Sequence, residues 1–283
     1  MDTDKPILVA GRTGQLARAL SDLADPVSIE RVATSIAPRA IINAAAYTAV
    51  DRAEAEPALA FAVNCDGAAQ LAAAAARSRI PFVYLSTDYV FDGHKVSPYR
   101  EDDAPAPLSV YGQSKLAGEE AVRETYPSSL VLRTSWVYSS HSHNFVRTML
   151  HLAATRDVVR VIDDQYGAPT AAADLARAIL GILTSPAAGE AAGLYHVTAA
   201  GETTWHGFAA AIFAGWARRG CRVPALAAIT TAEYPLPARR PMNSRLDCSK
   251  IELTFGVRLP HWEASLEACL DEIAASEMET QPC

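Results

Sequence analysis

Short apolar runs alternate with longer, Ala-rich helical patterns over the first half of the chain. Four of the runs have the length and composition of buried strands, at residues 7–10, 40–43, 82–85 and 130–133. The two clearest helical patterns cover residues 57–79 and 109–124. Strands and helices in this repeated order are typical of a parallel sheet that is covered on both faces. The pattern therefore predicts an α/β fold with a doubly wound parallel sheet.

The pattern changes after about residue 200. An amphipathic stretch over residues 204–219 is followed by a proline-rich loop, and a last helix is expected over residues 262–275. We expect residues 1–198 to form the sheet domain and residues 199–283 to form a smaller C-terminal lobe that binds the substrate. Segments after residue 140 are candidates for this second lobe as well.

One part of the chain does not fit this pattern. A helix is expected to begin near Gly14, and a second helical pattern begins at Pro26. A doubly wound sheet requires a strand between these helices, and a parallel crossover needs a dozen or more residues. Either the sheet lacks its second strand, or a segment is missing near residues 20–25. We favour the missing segment.

The composition narrows the possible partners. The 283 residues are half hydrophobic and carry a formal net charge of -7 at pH 7, with a pI of about 5.5. This charge argues against a broad basic surface, so we expect no nucleic-acid partner. No stretch looks apolar enough to span a bilayer and no signal peptide is evident, which predicts a cytoplasmic protein without a membrane partner. The five cysteines lack metal-ligand spacing and are expected to be reduced thiols.

A turn with two glycines follows the first predicted strand and opens a helix. Gly11 permits a tight turn, and Gly14 would let a pyrophosphate approach backbone N–H groups at the helix N-terminus. The third position of such a turn needs only a small residue, which Ala17 supplies. An ordinary strand–helix turn can contain the same two glycines, so this motif alone is weak evidence.

Three alanines, Ala44, Ala45 and Ala46, follow the second predicted strand. Small side chains at this place let the backbone pass close to a flat ring system. Tight packing without any ligand would select the same residues, so both interpretations stay open for this motif.

Tyr111 and Lys115 lie four residues apart on a predicted helix and therefore share one face. An ammonium stabilises a nearby phenolate, so Lys115 is expected to lower the pKa of Tyr111 toward neutrality. Tyr111 would then donate a proton to a ketone oxygen or accept one from an alcohol. A tyrosine and a lysine at this spacing are also common on surface helices. The pair therefore needs support from elsewhere in the chain.

That support comes from Thr87, which lies in the segment 86–91 that directly follows the third predicted strand. Its hydroxyl is expected at the carboxyl end of the sheet, where ligands bind in this architecture. From there it would hydrogen-bond both a substrate oxygen and the Tyr111 hydroxyl. Thr87, Tyr111 and Lys115 thus form a candidate proton-transfer set.

These motifs occur in the order and spacing of the extended short-chain dehydrogenase/reductase family, which has a Rossmann-type sheet. Over nearly its whole length the chain resembles the dTDP-4-dehydrorhamnose reductases within that family. The likeness is carried by residues 11–15, 43–51, 86–91, 111–119, 133–138, 164–170 and 237–244. It implies that NADPH or NADH reduces the C4 ketone of a dTDP-4-dehydro-6-deoxysugar, converting dTDP-4-dehydrorhamnose to dTDP-rhamnose.

The resemblance also implies roles for individual residues. Tyr111 would be the general acid, Lys115 its electrostatic partner and a ribose contact, and Thr87 the residue that tunes the tyrosine. Asp88 and Trp136 would contact the sugar nucleotide. The implied cofactor-binding residues are Gly11, Thr13, Gly14, Gln15, Leu16, Ala44, Ala45, Ala46, Tyr111 and Lys115.

Other residues keep two interpretations. Trp136 is either a core aromatic or a surface for stacking on a base or sugar. Arg239 and Arg240 either lie in a solvated loop or place at least one guanidinium on a phosphate, which we favour. The histidines show no ligand spacing. Some relatives are described with a magnesium ion held by glutamates, but this chain has Ala19 at the corresponding place, so we predict no metal.

Several questions stay open at this level. The strand that we expect to be missing would normally contact the adenosine ribose, so the choice between NADH and NADPH is not decided. The sequence also does not decide which deoxysugar is the substrate or what its C4 stereochemistry is. The protein is either a monomer or a homodimer. A sugar-nucleotide 4-epimerase and a non-catalytic binding subunit are the alternative functions. Thr87, Tyr111 and Lys115 argue against the binding subunit, which has no need of a tuned acid.

Overall fold

The computed structural model describes residues 5–11, 35–185 and 191–278. Thr13, Gly14, Gln15 and Leu16 lie outside these ranges, and so do Ala19 and the expected missing segment near residues 20–25. What the sequence predicts for these positions stays a prediction.

The described strands are β1 (Ile7–Ala10), β2 (Ala40–Asn43), β3 (Phe82–Thr87), β4 (Leu130–Thr134), β5 (Val137–Tyr138), β6 (Val158–Ile162), β7 (Tyr166–Gly167), β8 (Thr170–Ala171), β9 (Gly193–His196), β10 (Thr203–Thr204) and β11 (Ala225–Ile229). The described α-helices are α1 (Val50–Ala53), α2 (Pro57–Ser78), α3 (Val110–Thr125), α4 (Phe145–Thr155), α5 (Ala172–Thr184), α6 (Trp205–Arg218), α7 (Ser249–Phe255) and α8 (Trp262–Met278). Helix α2 includes one π-helical turn, Ala62–Asp66.

The main sheet has five parallel strands in the order β1-β2-β3-β4-β9. Its side chains alternate between two covered faces, because successive residues of a strand point in opposite directions. Ile41 and Tyr84 pack against α2 and α3, whereas Ile42 and Val83 pack against α5. A parallel sheet with helices on both faces confirms the predicted α/β class. In the described part of the chain, β1 is an edge strand.

The sequence pattern missed the fifth strand of this sheet. Its four residues, Gly193–His196, include a glycine and a histidine and form no apolar run. Backbone pairing with β4 supplies the order that the side-chain pattern does not show. The third and fourth strands also extend further than predicted, to Thr87 and Thr134.

A separate hydrophobic core lies among the C-terminal elements. It includes side chains of α4, α6 and α8, with Tyr138, Phe208 and Trp262 among its largest members. Strands β6 and β11 pair in parallel beside it. The core draws on residues 138–171 as well as on residues 199–273. The boundary that we expect after residue 198 stays a prediction.

Helix α2 is the one described helix that is long and apolar enough, by length and composition, to cross a membrane. The expectation that no stretch has this character is therefore wrong for α2. Half of its apolar window is buried inside the fold, and Ala68, Leu71 and Ala72 pack on the sheet. We interpret α2 as a core helix whose alanines permit close packing.

The cysteines also depart from expectation at one position. Cys65, Cys248 and Cys269 are free thiols, and burial raises the pKa of each. A raised pKa keeps a thiol protonated and unreactive. Cys221 is disulfide-bonded, so the prediction of reduced thiols is wrong for this residue.

Candidate active site

Gly11, the residue that follows β1, lies directly against the loop after β2. Gly11 has φ +112°, a conformation that L side chains rarely adopt. A Cβ atom at this position would lie 2.6 Å from the Ala45 nitrogen and 2.7 Å from the Ala44 carbonyl carbon. The Ala44 N–H donates to the Ala10 carbonyl at 2.9 Å. Gly11 and the loop after β2 therefore form a cradle with little side-chain bulk, which suits the close approach of a dinucleotide.

Thr87, at the end of β3, is buried and hydrogen-bonded in three directions. Its hydroxyl donates to Asp88 Oδ1 at 3.0 Å and accepts from the Tyr89 N–H at 3.2 Å. Tyr111 also forms a hydrogen bond with Thr87. The structure thus brings Thr87, Asp88 and Tyr111 together.

The electrostatics of Tyr111 differ from the expectation. Burial raises the pKa of Tyr111 to about 12, although a hydrogen bond that the Thr87 hydroxyl can donate to the phenolate opposes the shift. Burial also lowers the pKa of Lys115 to about 7, and Lys115 Nζ donates to the Leu85 carbonyl at 2.6 Å. The prediction that the Tyr111 pKa falls toward neutrality is wrong in this structure, because desolvation of the phenol outweighs the interactions that favour the phenolate.

Asn64 fixes the helix that carries Tyr111. It is fully buried in the π-helical turn of α2. Its side chain accepts from the Tyr47 N–H at 2.8 Å and donates to Ser114 Oγ at 2.9 Å. The Ser114 hydroxyl in turn donates to the Tyr111 carbonyl at 2.8 Å. The Ala-rich pattern gave no sign of this residue, although π turns often occur at functional sites.

Helices α2 and α3 approach each other closely at Gly118. A Cβ atom at this position would lie 2.1 Å from the Asn64 carbonyl oxygen and 2.4 Å from the Tyr84 hydroxyl oxygen. The Tyr84 hydroxyl donates to the same Asn64 carbonyl at 2.8 Å. This close contact sets the position of α3 over the sheet, and with it the positions of Tyr111 and Lys115.

One turn beyond Lys115, α3 carries a buried ion pair. Arg133 Nε and Nη2 donate to Glu119 Oε1 and Oε2 at 2.8 and 2.6 Å, and both side chains are 3% exposed. The Ser86 hydroxyl also donates to Glu119, and the guanidinium lies 5.0 Å from the centroid of the Phe91 ring. Glu119 and Arg133 were noted in the sequence only as parts of motifs, with no role assigned to either.

Trp136 follows β4 in a left-handed conformation, with φ +47°. Its ring stacks on Trp205 of α6 with centroids 3.6 Å apart and planes 10° apart. A Cβ atom on Gly167 would lie 2.5 Å from Trp136 Cε2, so this ring also lies against the Gly167 backbone. Trp205 occupies one face of Trp136, and a sugar or base can stack only on the rest of the ring. The sequence gave Trp205 no role beyond the start of an amphipathic helix.

The two arginines of the C-terminal loop have different surroundings. Arg240 Nη2 and Nη1 donate to the two carboxylate oxygens of Asp51 at 2.7 and 3.1 Å. Arg239 is exposed. Both line a cavity of about 280 Å³ together with Gln165 and Thr231. Arg240 is therefore held by a carboxylate, whereas Arg239 is exposed to solvent.

A larger cavity of about 720 Å³ unites the proton-transfer set with the cradle. Its lining includes Gly11, Ala44, Thr87, Tyr111, Lys115 and Trp136. Asp88 and Ala46 also line it, whereas Ala45 and the two arginines do not. A volume of this size is typical of small-molecule sites. Its described lining fits a nicotinamide dinucleotide, because a Cβ would fill the Gly11 cradle and Lys115 and Tyr111 line the same cavity.

A parallel sheet whose first strand ends in such a cradle, and whose carboxyl edge carries a Thr–Tyr–Lys set, is the arrangement of the extended short-chain dehydrogenases. The protein is a nucleotide-dependent oxidoreductase of this class. More narrowly, the chain belongs to the family described as the RmlD substrate binding domain, which matches residues 5–275.

Individual relatives agree with this assignment. The chain is 47% identical over 279 residues to a dTDP-4-dehydrorhamnose reductase of Sinorhizobium fredii, covering 92% of this chain and 94% of the relative. It is 42% identical to a dTDP-4-dehydrorhamnose reductase of Salmonella typhimurium, covering 94% and 97%. A solved dTDP-4-dehydrorhamnose reductase of Bacillus anthracis in complex with NADP has a TM-score of 0.86 at 33% identity, covering 95% and 99%.

Proposed function

We propose that the protein uses NADPH to reduce the C4 ketone of dTDP-4-dehydrorhamnose, giving dTDP-rhamnose. The observation that carries the proposal is the hydrogen-bonded pair Thr87–Tyr111, which lines the same cavity as Lys115 and Gly11. The names of the Sinorhizobium and Salmonella relatives, at 47% and 42% identity, support the same reaction.

In this reaction Tyr111 is the general acid. When bound, the reduced nicotinamide supplies a hydride to the carbonyl carbon. Tyr111 donates its phenol proton to the oxygen on which negative charge develops. Thr87 holds the phenol in place, and Lys115 contacts the nicotinamide ribose. A protonated Lys115 also favours charge on the phenolate once Tyr111 has given up its proton.

Gly11 and the loop with Ala44 and Ala46 would hold the cofactor, together with Thr13, Gly14, Gln15 and Leu16, which the sequence predicts as cofactor-binding residues. Ala45 supports this loop from the buried side, because its N–H is bound to Asn43 Oδ1 at 3.1 Å. NADPH is favoured over NADH because the Bacillus anthracis relative was solved with NADP.

The sugar nucleotide is bound by residues on both sides of the catalytic set. Asp88, adjacent to Thr87, contacts the sugar, and the part of the Trp136 ring that Trp205 leaves uncovered packs against it. Arg239 is the better candidate for a diphosphate oxygen, because Arg240 is already bound to Asp51. Arg240 instead holds the C-terminal loop against α1.

The proposal is tested by mixing the protein with NADPH and dTDP-4-dehydrorhamnose and following the nicotinamide absorbance. Because that sugar is the product of a separate 3,5-epimerase, the epimerase and its substrate can generate it in the assay. We expect stoichiometric oxidation of NADPH and formation of dTDP-rhamnose. An epimerase would leave NADPH unspent, and a binding subunit would change neither compound. Either result would overturn the proposal.

The remaining expectations concern partners and place. We propose a cytoplasmic monomer or homodimer that binds neither nucleic acid nor membrane and holds no metal. We further propose that residues 1–198 and 199–283 form the two lobes. Light scattering coupled to gel filtration tests the oligomeric state. Limited proteolysis tests the lobe boundary.

A further inference from the structure

The Thr87 hydroxyl has no hydrogen-bonding capacity to spare. A hydroxyl carries one proton and two acceptor lone pairs. Its proton is directed at Asp88 Oδ1, 3.0 Å away, and one lone pair accepts from the Tyr89 N–H at 3.2 Å. The second lone pair is left for the phenol of Tyr111, which donates to Thr87 when neutral and accepts from it as a phenolate. The three side chains form a directed chain from the Tyr111 O–H through the Thr87 O–H to the Asp88 carboxyl.

Asp88 ends this chain in an unusual state for a carboxyl group. It is 2% exposed, and its Oδ2 atom has no hydrogen-bond partner among the described residues. None of the ion pairs of the described chain includes Asp88. The residue nevertheless lines the same cavity as Tyr111. A buried carboxylate without a cation is costly, so this environment favours a carboxyl group that carries a proton.

We propose that Asp88 returns a proton to Tyr111 through the Thr87 hydroxyl after each reduction. This inference rests on the proposed function, because it concerns the state in which that reaction leaves Tyr111. Asp88 is thus assigned a part in proton transfer in addition to its contact with the sugar.

The proton balance is simple. During reduction the O–H bond of Tyr111 breaks and an O–H bond forms on the product alcohol, which leaves a phenolate. Thr87 then gives its proton to the phenolate and takes the proton of Asp88. Asp88 remains as a carboxylate and regains a proton from water when the product leaves the cavity. No oxidant or reductant beyond the hydride donor of the proposed reaction is needed.

The proton affinities support this direction. Burial raises the pKa of Asp88 to about 7, although the Ser244 and Thr87 hydroxyls oppose the shift. The pKa of Tyr111 is raised to about 12. Transfer from Asp88 to the phenolate is therefore downhill, and a donor with a pKa near 7 is recharged readily from water at neutral pH. Of the residues that the structure describes, the other titratable groups that line this cavity are Tyr89 and Lys115.

The kinetic test uses Asp88→Asn, which keeps the size of the side chain and removes its acidic proton. Tyr111 begins the first turnover with its own proton, so later turnovers suffer more than the first. Rapid mixing with saturating sugar nucleotide and NADPH should show a burst of about one NADPH oxidised per site, followed by a steady rate that is roughly tenfold or more below that of the parent protein. Asp102→Asn, the same change at an exposed position, should show no burst and no slowing.

A contact that only binds the sugar predicts a different result. In that case Asp88→Asn would raise KM and slow the first and later turnovers equally, without a burst, and the proposal would be wrong. Unchanged turnover would also overturn it. If the asparagine variant fails to fold, Asp88→Ala replaces it, and added acetate should restore the steady rate without changing the burst. A parent protein that does not oxidise NADPH at all contradicts the proposed function instead.

A second readout needs neither cofactor nor turnover. Infrared difference spectra of the protein alone, recorded while the pH is raised through neutrality, should show the carbonyl stretch of a buried protonated carboxyl group that disappears as Asp88 ionises. The band should be absent from Asp88→Asn and present in Asp102→Asn. Its absence from the parent protein at pH 6 would show that Asp88 carries no proton to give.

Discussion

Helix α3 touches two buried polar clusters that are built in opposite ways. The paired cluster contains Glu119, Arg133 and Ser86, in which the carboxylate receives charge-assisted hydrogen bonds. The open cluster contains Thr87, Asp88, Tyr111 and Lys115 and faces the large cavity. In the open cluster Asp88 Oδ2 has no hydrogen-bond partner within the described part of the chain, and the Lys115 amine is bound to the Leu85 carbonyl oxygen.

The difference separates a structural use of buried charge from a chemical use. In the paired cluster the guanidinium of Arg133 lies directly against the carboxylate of Glu119, so that the two charges compensate each other. In the open cluster burial shifts the pKa of Asp88 and of Lys115 to about 7 from opposite sides. Groups that can gain or lose a proton near neutral pH are useful for catalysis and costly for stability. Four predictions test this division.

The largest effect should follow Tyr111→Phe, which removes one hydroxyl from the open cluster. We expect kcat to fall by about 10²–10⁴, the usual contribution of a positioned general acid, while NADPH affinity and thermal stability stay close to those of the parent. Steady-state kinetics, a fluorescence titration with NADPH and calorimetry check these three quantities. A variant that retains near-parent turnover at neutral pH would remove Tyr111 from the mechanism.

The paired cluster should respond in stability. Glu119→Gln leaves the Arg133 guanidinium buried without its carboxylate, which typically costs about 3–5 kcal/mol of unfolding free energy. Urea denaturation measures this loss. The double variant Glu119→Gln/Arg133→Met removes both charges and should recover part of it. If the single variant is as stable as the parent, the pair does not hold α3 to the sheet.

The open cluster should produce a minimum of stability near pH 7. In the folded protein Asp88 has a pKa of about 7, above its usual value of 3.8. Its contribution to the free energy of unfolding is therefore present in acid and is lost as the pH rises toward 7. In the folded protein Lys115 has a pKa of about 7, below its usual value of 10.5. Its contribution to the free energy of unfolding is therefore present in alkali and is lost as the pH falls toward 7. Each contribution to the free energy of unfolding amounts to at most about 5 kcal/mol, at about 1.4 kcal/mol for each pKa unit.

Melting temperatures of matched variants reveal this minimum without interference from other titrating groups. Relative to the parent, Asp88→Asn should gain stability between pH 5 and pH 7, and Lys115→Met should gain stability between pH 9 and pH 7. Parallel melting curves for parent and variant across these ranges would contradict the assignment of shifted pKa values to the open cluster.

We expect the smallest effect from a change of Trp136, which has both a structural contact and a place in the lining of the cavity. It stacks on Trp205, as a structural residue does, but it lines the cavity beside Tyr111. Loss of a stacking contact typically costs about 1–3 kcal/mol, so Trp136→Ala should raise KM for the sugar nucleotide roughly tenfold and leave NADPH affinity unchanged. Trp205→Ala is the control for the aromatic stack. If only the melting temperature falls, Trp136 is a core residue.

The sequence was sufficient to predict those features that depend on residues close together in the chain. The first four strands of the sheet have apolar runs, and Thr87, Tyr111 and Lys115 follow strands or share a helix face. Parallel strands bring such residues to one edge, so their proximity in the structure follows from topology.

What the sequence did not predict depends on contacts between distant residues. Asn64 bonds to Ser114, Asp51 bonds to Arg240, and Trp205 stacks on Trp136, each across at least 50 positions of the chain. The pKa of Tyr111 was mispredicted for a related reason. Spacing on a helix shows that a lysine is near, but it does not show how deeply both groups are buried, and burial decides the direction of the shift.

The contact at Gly118 has a consequence for evolution and for engineering. A single added methyl group would overlap the Asn64 carbonyl and the Tyr84 hydroxyl, so the position tolerates no amino acid other than glycine without a backbone shift. Random mutation at this codon is therefore expected to yield almost no active descendants, although Gly118 contributes no side chain to the cavity. Libraries built to change sugar preference should leave this codon fixed and direct their diversity to the cavity wall.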